Sequence, residues 1–185
     1  ANIPTPKTII VHKNSIDEVL KVTGLPCVLK SPDSTFSFGV KKANTTKEFQ
    51  DLVNQMLKKS DLIIAQEYTF SNYDWRIGIL DNIPIFACRY YMAKGHWQIY
   101  NWDASKKDDQ DGNADCLPIE RVPKKVLNVA LKSAKLMGKG LYGIDVKEVD
   151  GKPLVIEIND NPNIDFGVED RFYGDQVYVA ILTAL

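Results

Sequence analysis

Apolar and polar positions recur with readable periods along most of the chain. Residues 8–11 form a short β-branched run. Ser15-Ile16-Asp17-Glu18 has the capping-box form that opens a helix, and Gly24 closes it. Residues 27–30 read as an apolar strand, 31–38 as a loop of small residues and 39–43 as a returning strand. A second capping box, Thr45-Thr46-Lys47-Glu48, opens a helix with Phe49, Leu52, Val53, Met56 and Leu57 on one stripe. Residues 62–65 read as a buried strand. Residues 75–80, 84–92 and 96–102 read as antiparallel strands, the first two joined by a turn at Asp81-Asn82. Segment 103–118, with five aspartates beside Lys106, Lys107, Gly112 and Asn113, reads as a solvated loop. Pro123 opens a long helix carrying Val126, Leu127, Ala130, Leu131 and Ala134, and Gly138 stops it. Residues 142–149 and 153–159 are two strands around Asp150-Gly151, and 175–185 is a last amphipathic helix. The order predicts an α+β chain with a small α/β lobe over 1–66, a larger sheet with helices over 67–185 and a hinge near 66–68.

The strand pair around Asp150-Gly151 permits a sharper reading. A two-residue turn pairs 149 with 152 and 145 with 156, which puts Asp145 on a face with Leu154, Ile156 and Ile158. A three-residue loop with a bulged glycine pairs 145 with 155. Ile144, Val146, Leu154, Ile156 and Ile158 then share one face, and Asp145, Lys147, Glu157 and Asn159 the other. The second register separates apolar from polar and is preferred. It aims two carboxylates and an amide the same way, a set of hard oxygen donors without His or Cys that suits Mg²⁺. A solvated sheet face is the rival reading.

Composition narrows the class. The chain has 185 residues, 44% hydrophobic and 25% charged, with a net charge of -1, which fits a soluble globular protein and argues against a polybasic nucleic-acid or membrane-surface protein. No apolar run approaches the roughly 20 residues of a membrane helix, and Ala1-Asn2-Ile3-Pro4 does not open a signal peptide. Cys27, Cys88 and Cys116 form no C-x-x-C pair, so buried thiols in a reducing cytoplasm are expected.

Other positions carry chemistry only in combination. Lys30 ends an apolar strand under a small-residue loop, where a lysine meets phosphate while backbone N–H groups cover the rest, although the loop is not a Walker sequence. Residues 63–68 run from an apolar strand into Gln66, Glu67 and Tyr68, a setting that offers a purine an apolar slot and backbone partners. Arg76, in Asp74-Trp75-Arg76, and Arg89 are candidate clamps for a carboxylate or a phosphoryl group. Cys27, His12 and His96 read as structural.

These pieces in this order resemble the ATP-grasp superfamily, specifically its RimK-like and glutathione-synthetase-like ligases. The resembling stretches are Pro26-Cys27-Val28-Leu29-Lys30, Ser37-Phe38-Gly39-Val40, Gln66-Glu67-Tyr68, Asp74-Trp75-Arg76, Gly143-Ile144-Asp145 and the closing Val155-Ile156-Glu157-Ile158-Asn159-Asp160-Asn161-Pro162. The resemblance implies an ATP-grasp fold of two α/β lobes clasping ATP, with mainly antiparallel sheets and packed helices. It implies Lys30 as a phosphate contact, 31–38 as the mobile phosphate loop, Gln66, Glu67 and Tyr68 as the adenine-reading hinge, and Asp74 as an acidic nucleotide contact. It implies Arg76 and Arg89 as catalytic arginines near the γ-phosphate and acyl group, and Asp145, Glu157 and Asn159 as ligands of Mg²⁺, with Mn²⁺ as a substitute. Three departures stand out. The family's further N-terminal domain and early lysine are missing, so the chain is expected to be the ATP-grasp lobes of a longer protein. An Arg-Ser-Asn run is replaced over 96–101, where Gln98 and Asn101 are the substitutes. Asn163 follows Pro162 where a glycine is usual.

The implied activity is Mg-ATP-dependent ligation of a carboxylate to an amine or thiol through an acyl phosphate, in the cytoplasm. The implied partners are a carboxylate substrate and an amine acceptor, each a small molecule or peptide, with no nucleic acid or membrane and with pairing into a homodimer. A non-catalytic nucleotide-binding regulatory module is the alternative, and a phosphotransferase the third reading.

Overall fold

A computed structural model describes residues 2–33 and 37–184. In the unit Thr5–Thr69, strands β1 (Thr8–Val11), β2 (Cys27–Lys30), β3 (Val40–Ala43) and β4 (Ile63–Glu67) form an antiparallel sheet in the order β1-β4-β2-β3. Helices α1 (Ile16–Thr23) and α2 (Thr46–Met56) close a core of Val11, Val19, Leu29, Phe49, Val53 and Ile63. Alternation along β2 and β4 sends Cys27, Leu29, Ile63 and Ala65 into that core, leaving Lys30 and Gln66 on the opposite face. The two expected capping boxes differ in outcome. Thr45 Oγ1 accepts from the Glu48 N–H at 3.2 Å, while Glu48 reaches back one residue further than expected, accepting from the Asn44 N–H at 2.7 Å. Ser15 precedes α1 but does not cap it; its Oγ accepts from the His12 N–H at 2.9 Å.

The second unit joins Ala1–Pro4 to Phe70–Leu185. Its five-stranded antiparallel sheet comprises β5 (Tyr73–Leu80), β6 (Ile83–Tyr91), β7 (Ala114–Cys116), β8 (Leu141–Val149) and β9 (Lys152–Asn159), in the order β7-β6-β5-β8-β9. Helix α3 (Lys124–Met137) covers one face, where Trp75, Ile77, Ile79, Val126, Ala130, Ile144, Val146 and Val155 form the core. Helix α4 (Gln176–Ala184) packs through Val177 and Ile181 on Phe86 and Cys88 of the other face. Among the described residues no helix is long and apolar enough to cross a membrane.

Three expectations are corrected. Residues 96–102 do not form a strand; only Tyr100 makes a bridge, to Asp111, and its ring stacks on Trp102 at 5.4 Å between centroids. Alternating aromatics there serve ring contacts rather than a pleat. The expected loop 103–118 contains β7, three residues too short to show a period. Cys88 and Cys116, expected as thiols, are directly opposed on β6 and β7 with Cα atoms 4.1 Å apart, and are joined in a disulfide; Cys27 is the free, buried thiol.

The β8–β9 register reaches the expected polar grouping by another route. The turn is the two-residue kind, with Asp150 and Gly151 at φ 51° and 68° and Val149 opposite Lys152. The slip occurs inside the ladder: Asp145 faces Glu157, Val146 faces Val155, and Ile156 is the extra residue. Val155 therefore enters the core in place of the Leu154 and Ile156 expected there.

Peptide mapping without reductant is expected to recover Cys88 and Cys116 as one linked pair and Cys27 as a thiol; separate Cys88 and Cys116 thiols would contradict the fold. In urea titrations, Ile144→Ala is expected to destabilise the larger unit by about 3 kcal/mol through loss of a buried side chain. Thr45→Ala is expected to cost the smaller one about 1 kcal/mol through loss of a cap.

Candidate functional site

The polar chemistry of the larger unit gathers on the sheet face opposite α3. Asp74 and Arg76 lie two apart on β5, Asp145 and Lys147 two apart on β8, and Glu157 and Asn159 two apart on β9, so each pair shares a face. The register sets Arg76 opposite Asp145, Asp145 opposite Glu157, and Gly143 opposite Asn159. Arg76 binds Asp145 with both arms: Nη2 donates to Oδ2 at 2.9 Å and Nε donates to Oδ1. Asn159 Nδ2 donates to Asp145 Oδ2 at 3.4 Å and to the Gly143 carbonyl at 3.3 Å. Asp145, Glu157 and Asn159 are thus brought together as expected. No three His, Cys, Asp or Glu side chains converge among the described residues; the third oxygen donor beside the two carboxylates is an amide.

Charge and burial tune this face. Burial works to lower the Arg76 pKa, and the charge and hydrogen bonds of Asp145 override it, so the guanidinium is held charged. Tyr90, on β6, places its ring 5.6 Å from the Arg76 guanidinium carbon, and its hydroxyl donates to Glu169 Oε1. Burial, reinforced by Glu169, pushes the Tyr90 phenol pKa up, so it stays a donor. Glu169 is fully buried, and its Oε2 accepts from the Asp165 N–H at 2.8 Å. Tyr90 and Glu169 are site residues that sequence reading missed. Alternation from Cys88, opposite Arg76, puts Tyr90 on this face, whereas Glu169 lies outside any helix or strand and carries no periodic signal.

Of two further expected site residues, Asp74 lies on this face and Arg89 on the other. Asp74 is engaged within its own sheet face: Oδ1 accepts from Lys147 Nζ at 2.6 Å and from Ser71 Oγ at 2.9 Å. Burial raises its pKa against the pull of Lys147. Arg89 pairs with Trp75, not with Arg76, in the β5–β6 ladder, which puts it on the α3 face. There Nε donates to Asp115 Oδ1 at 3.0 Å, and the guanidinium lies over Tyr73 and Trp75 at 5.3 and 5.7 Å. Arg89 is thus separated from Arg76 by the thickness of the sheet, because odd and even positions on one strand point opposite ways.

In the smaller unit, Lys30 ends β2 opposite Val40 and Ile64. The expected phosphate loop 31–38 includes 34–36, which lie outside the described residues. Gln66 is buried and its Nε2 donates to Thr8 Oγ1 at 3.0 Å; Glu67 Oε2 accepts from the Lys7 N–H at 3.3 Å. Tyr68 donates its N–H to the Pro26 carbonyl at 3.3 Å, and Lys42 Nζ, another residue not anticipated, stands 4.7 Å over its ring. Gln98 contacts His96 at 3.3 Å, so the proposed substitute for the missing run is engaged locally.

Comparison with known proteins places this geometry. A probable alpha-L-glutamate ligase from Vibrio parahaemolyticus is 27% identical over 161 residues, covering 85% of this chain and 50% of that protein. One from Saccharophagus degradans is 26% identical, covering 83% and 48%. The chain thus spans about half the length of the curated relatives it matches. Among solved structures, the D-alanine–D-alanine ligase of Bacillus anthracis superposes with a TM-score of 0.79 at 20% identity, over 98% of this chain and 62% of that one. The ATP-grasp ligase PsnB, complexed with minimal precursor, Mg and ADP, superposes with a TM-score of 0.68 at 19% identity, over 100% and 55%. These likenesses show the ATP-grasp fold. The family described as D-ala D-ala ligase C-terminus matches residues 4–165, and the chain belongs to it.

Proposed function

We propose that this chain is the nucleotide-handling part of an ATP-dependent carboxylate–amine ligase. The observation that carries the reading is the meeting of Asp145, Glu157 and Asn159 on one sheet face beside a charged Arg76. The donor set fits Mg²⁺, because it offers two carboxylates and an amide oxygen with no nitrogen or sulfur ligand. When bound, the ion would neutralise phosphate charge and favour transfer to a carboxylate oxygen.

The rest follows from the chain's own groups. Arg76, held charged by its surroundings, offsets negative charge growing on a transferring phosphoryl group. Lys30 contributes a point charge to the nucleotide phosphates. Gln66, Glu67 and Tyr68 sit where β4 ends and are proposed to meet the base, with Gln66 fixed by Thr8. Asp74 acts indirectly, by anchoring Lys147 on the polar face. A substrate carboxylate attacks the γ-phosphorus and ADP leaves; an amine then attacks the acyl carbon, and phosphate departs with the carboxylate oxygen. Neither step requires a protein nucleophile, since positioning and charge suffice.

The names of the relatives suggest an amino acid such as L-glutamate as amine donor, added to a small molecule or to a peptide. Pairing of subunits and a cytoplasmic setting are part of the same proposal, the latter resting on composition alone, since the Cys88–Cys116 bond removes the support that three thiols would have given it.

In the full-length protein, ADP release is expected to require both a carboxylate and an amine, with a product heavier by one amino-acid residue by mass spectrometry. Glu157→Ala is expected to lower kcat by about 10²-fold or more. Equal turnover by this variant and the parent would refute the metal assignment. Lys30→Ala is expected to raise KM for ATP by about tenfold. Arg89→Ala, on the other face, is expected to change kcat by less than about twofold once stability is matched.

A further inference from the structure

Asp145 is fully engaged in this structure. Arg76 takes both of its oxygens, and each side chain is only 16% exposed. A bidentate guanidinium is a strong competitor for a carboxylate. A cation arriving at Asp145 competes with it, and a guanidinium left unpaired and withdrawn from water is strongly unfavoured. The same face supplies an alternative seat. The Tyr90 ring lies beside the Arg76 guanidinium, and the Tyr90 hydroxyl leads to Glu169, a carboxylate with 0% exposure whose charge acts on Arg76. Carboxylates are rarely buried to this degree unless they compensate a cation.

We propose that Arg76 is the resident counter-ion of Asp145 that a divalent cation displaces, and that Tyr90 and Glu169 hold the displaced guanidinium on the same sheet face. This rests on the metal role assigned to Asp145 above. Tyr90 and Glu169 are then positioning residues that act on the metal only through Arg76. Loading of the cation and release of the guanidinium toward a phosphoryl group become one event.

The test is binding of Mn²⁺ alone to the nucleotide-free full-length protein, read from the loss of the free-ion paramagnetic resonance signal. Arg76→Gln is expected to bind Mn²⁺ at least about fivefold more tightly, because the internal competitor is gone. Arg76→Lys is expected to tighten binding in the same direction, since one ammonium cannot hold both oxygens, and it serves if the glutamine variant does not fold. Tyr90→Phe and Glu169→Gln are expected to weaken binding at least about fivefold. The double variant Arg76→Gln/Glu169→Gln is expected to match Arg76→Gln, whereas a merely structural Glu169 would weaken binding in that background too. Arginine variants that bind no more tightly than the parent, or additive effects in the double variant, would overturn the proposal. Asp145→Asn separates the two claims. If it binds Mn²⁺ like the parent, the metal assignment fails and this proposal with it. If it loses binding while the arginine variants leave binding unchanged, only the displacement fails.

Discussion

The unpaired residue Ile156 decides which side chains of the larger sheet meet. Without a slip in the β8–β9 ladder, the two-residue turn at Asp150-Gly151 would set Asp145 opposite Ile156 and carry Glu157 to the core face. The slip between Asp145 and Val146 leaves Val155 opposite Val146, as the turn dictates, and shifts the pairing beyond it by one, so that Glu157 meets Asp145 and Ile158 meets Ile144. Burial favours the slip on both faces. A carboxylate against α3 would need a buried partner, and Ile158 on the polar face would no longer pack beside Ile144. Placing the slip inside the ladder lets the turn keep its tight geometry while the far end of each strand serves the site.

On that face the charges are arranged in couples rather than scattered. Lys147 neutralises Asp74 and Arg76 neutralises Asp145, each pair bridging adjacent strands. Side-chain exposures of 13% to 16% at these four residues put both pairs in a setting where loss of one partner is costly. The couples differ in surroundings. Ser71 adds a further hydrogen bond to the Asp74 pair, which makes it a fixed strut. The Arg76 pair instead has Glu157 and Asn159 beside Asp145 and the Tyr90 ring beside Arg76, with Glu169 bonded to the far end of Tyr90. A fixed pair suits support, and a pair with such neighbours suits exchange of partners during a reaction.

Much of this was legible in the chain itself, and the exceptions have identifiable causes. Strands β5, β6, β8 and β9 announce themselves because one face is buried and alternation is therefore enforced. The turn at Asp81-Asn82 was readable because both residues tolerate positive φ, at 47° and 68°. The grouping of Asp145, Glu157 and Asn159 was anticipated from the separation of polar and apolar positions, although the slip was placed in the turn. Strand β7 escaped because three residues carry no period, and the Cys88–Cys116 bond escaped with it, since pairing depends on which strand lies beside β6. Arg89 reads as a clamp on its chemistry alone, but alternation sets it with Trp75 on the α3 face. Glu169 was beyond reach: an irregular segment offers no periodicity, and only the folded chain brings it to Tyr90, 79 residues away.

Gly143 shows why the segment after Asn159 can take part at all. A Cβ built at Gly143 would lie 2.8 Å from the Pro162 Cβ and 3.1 Å from the Arg76 Cδ, the first closer than packed atoms tolerate. The missing side chain lets the turn beyond β9 fold back across β8, so that Pro162 and the aliphatic stem of Arg76 both close on the same backbone position. Packing there restrains the stem while leaving the guanidinium beside Asp145 and Tyr90. A larger residue at 143 would push Pro162 or the arginine stem outward and loosen the guanidinium from both neighbours. The glycine in the Gly143-Ile144-Asp145 stretch is therefore explained by close approach, since no positive φ is required of it.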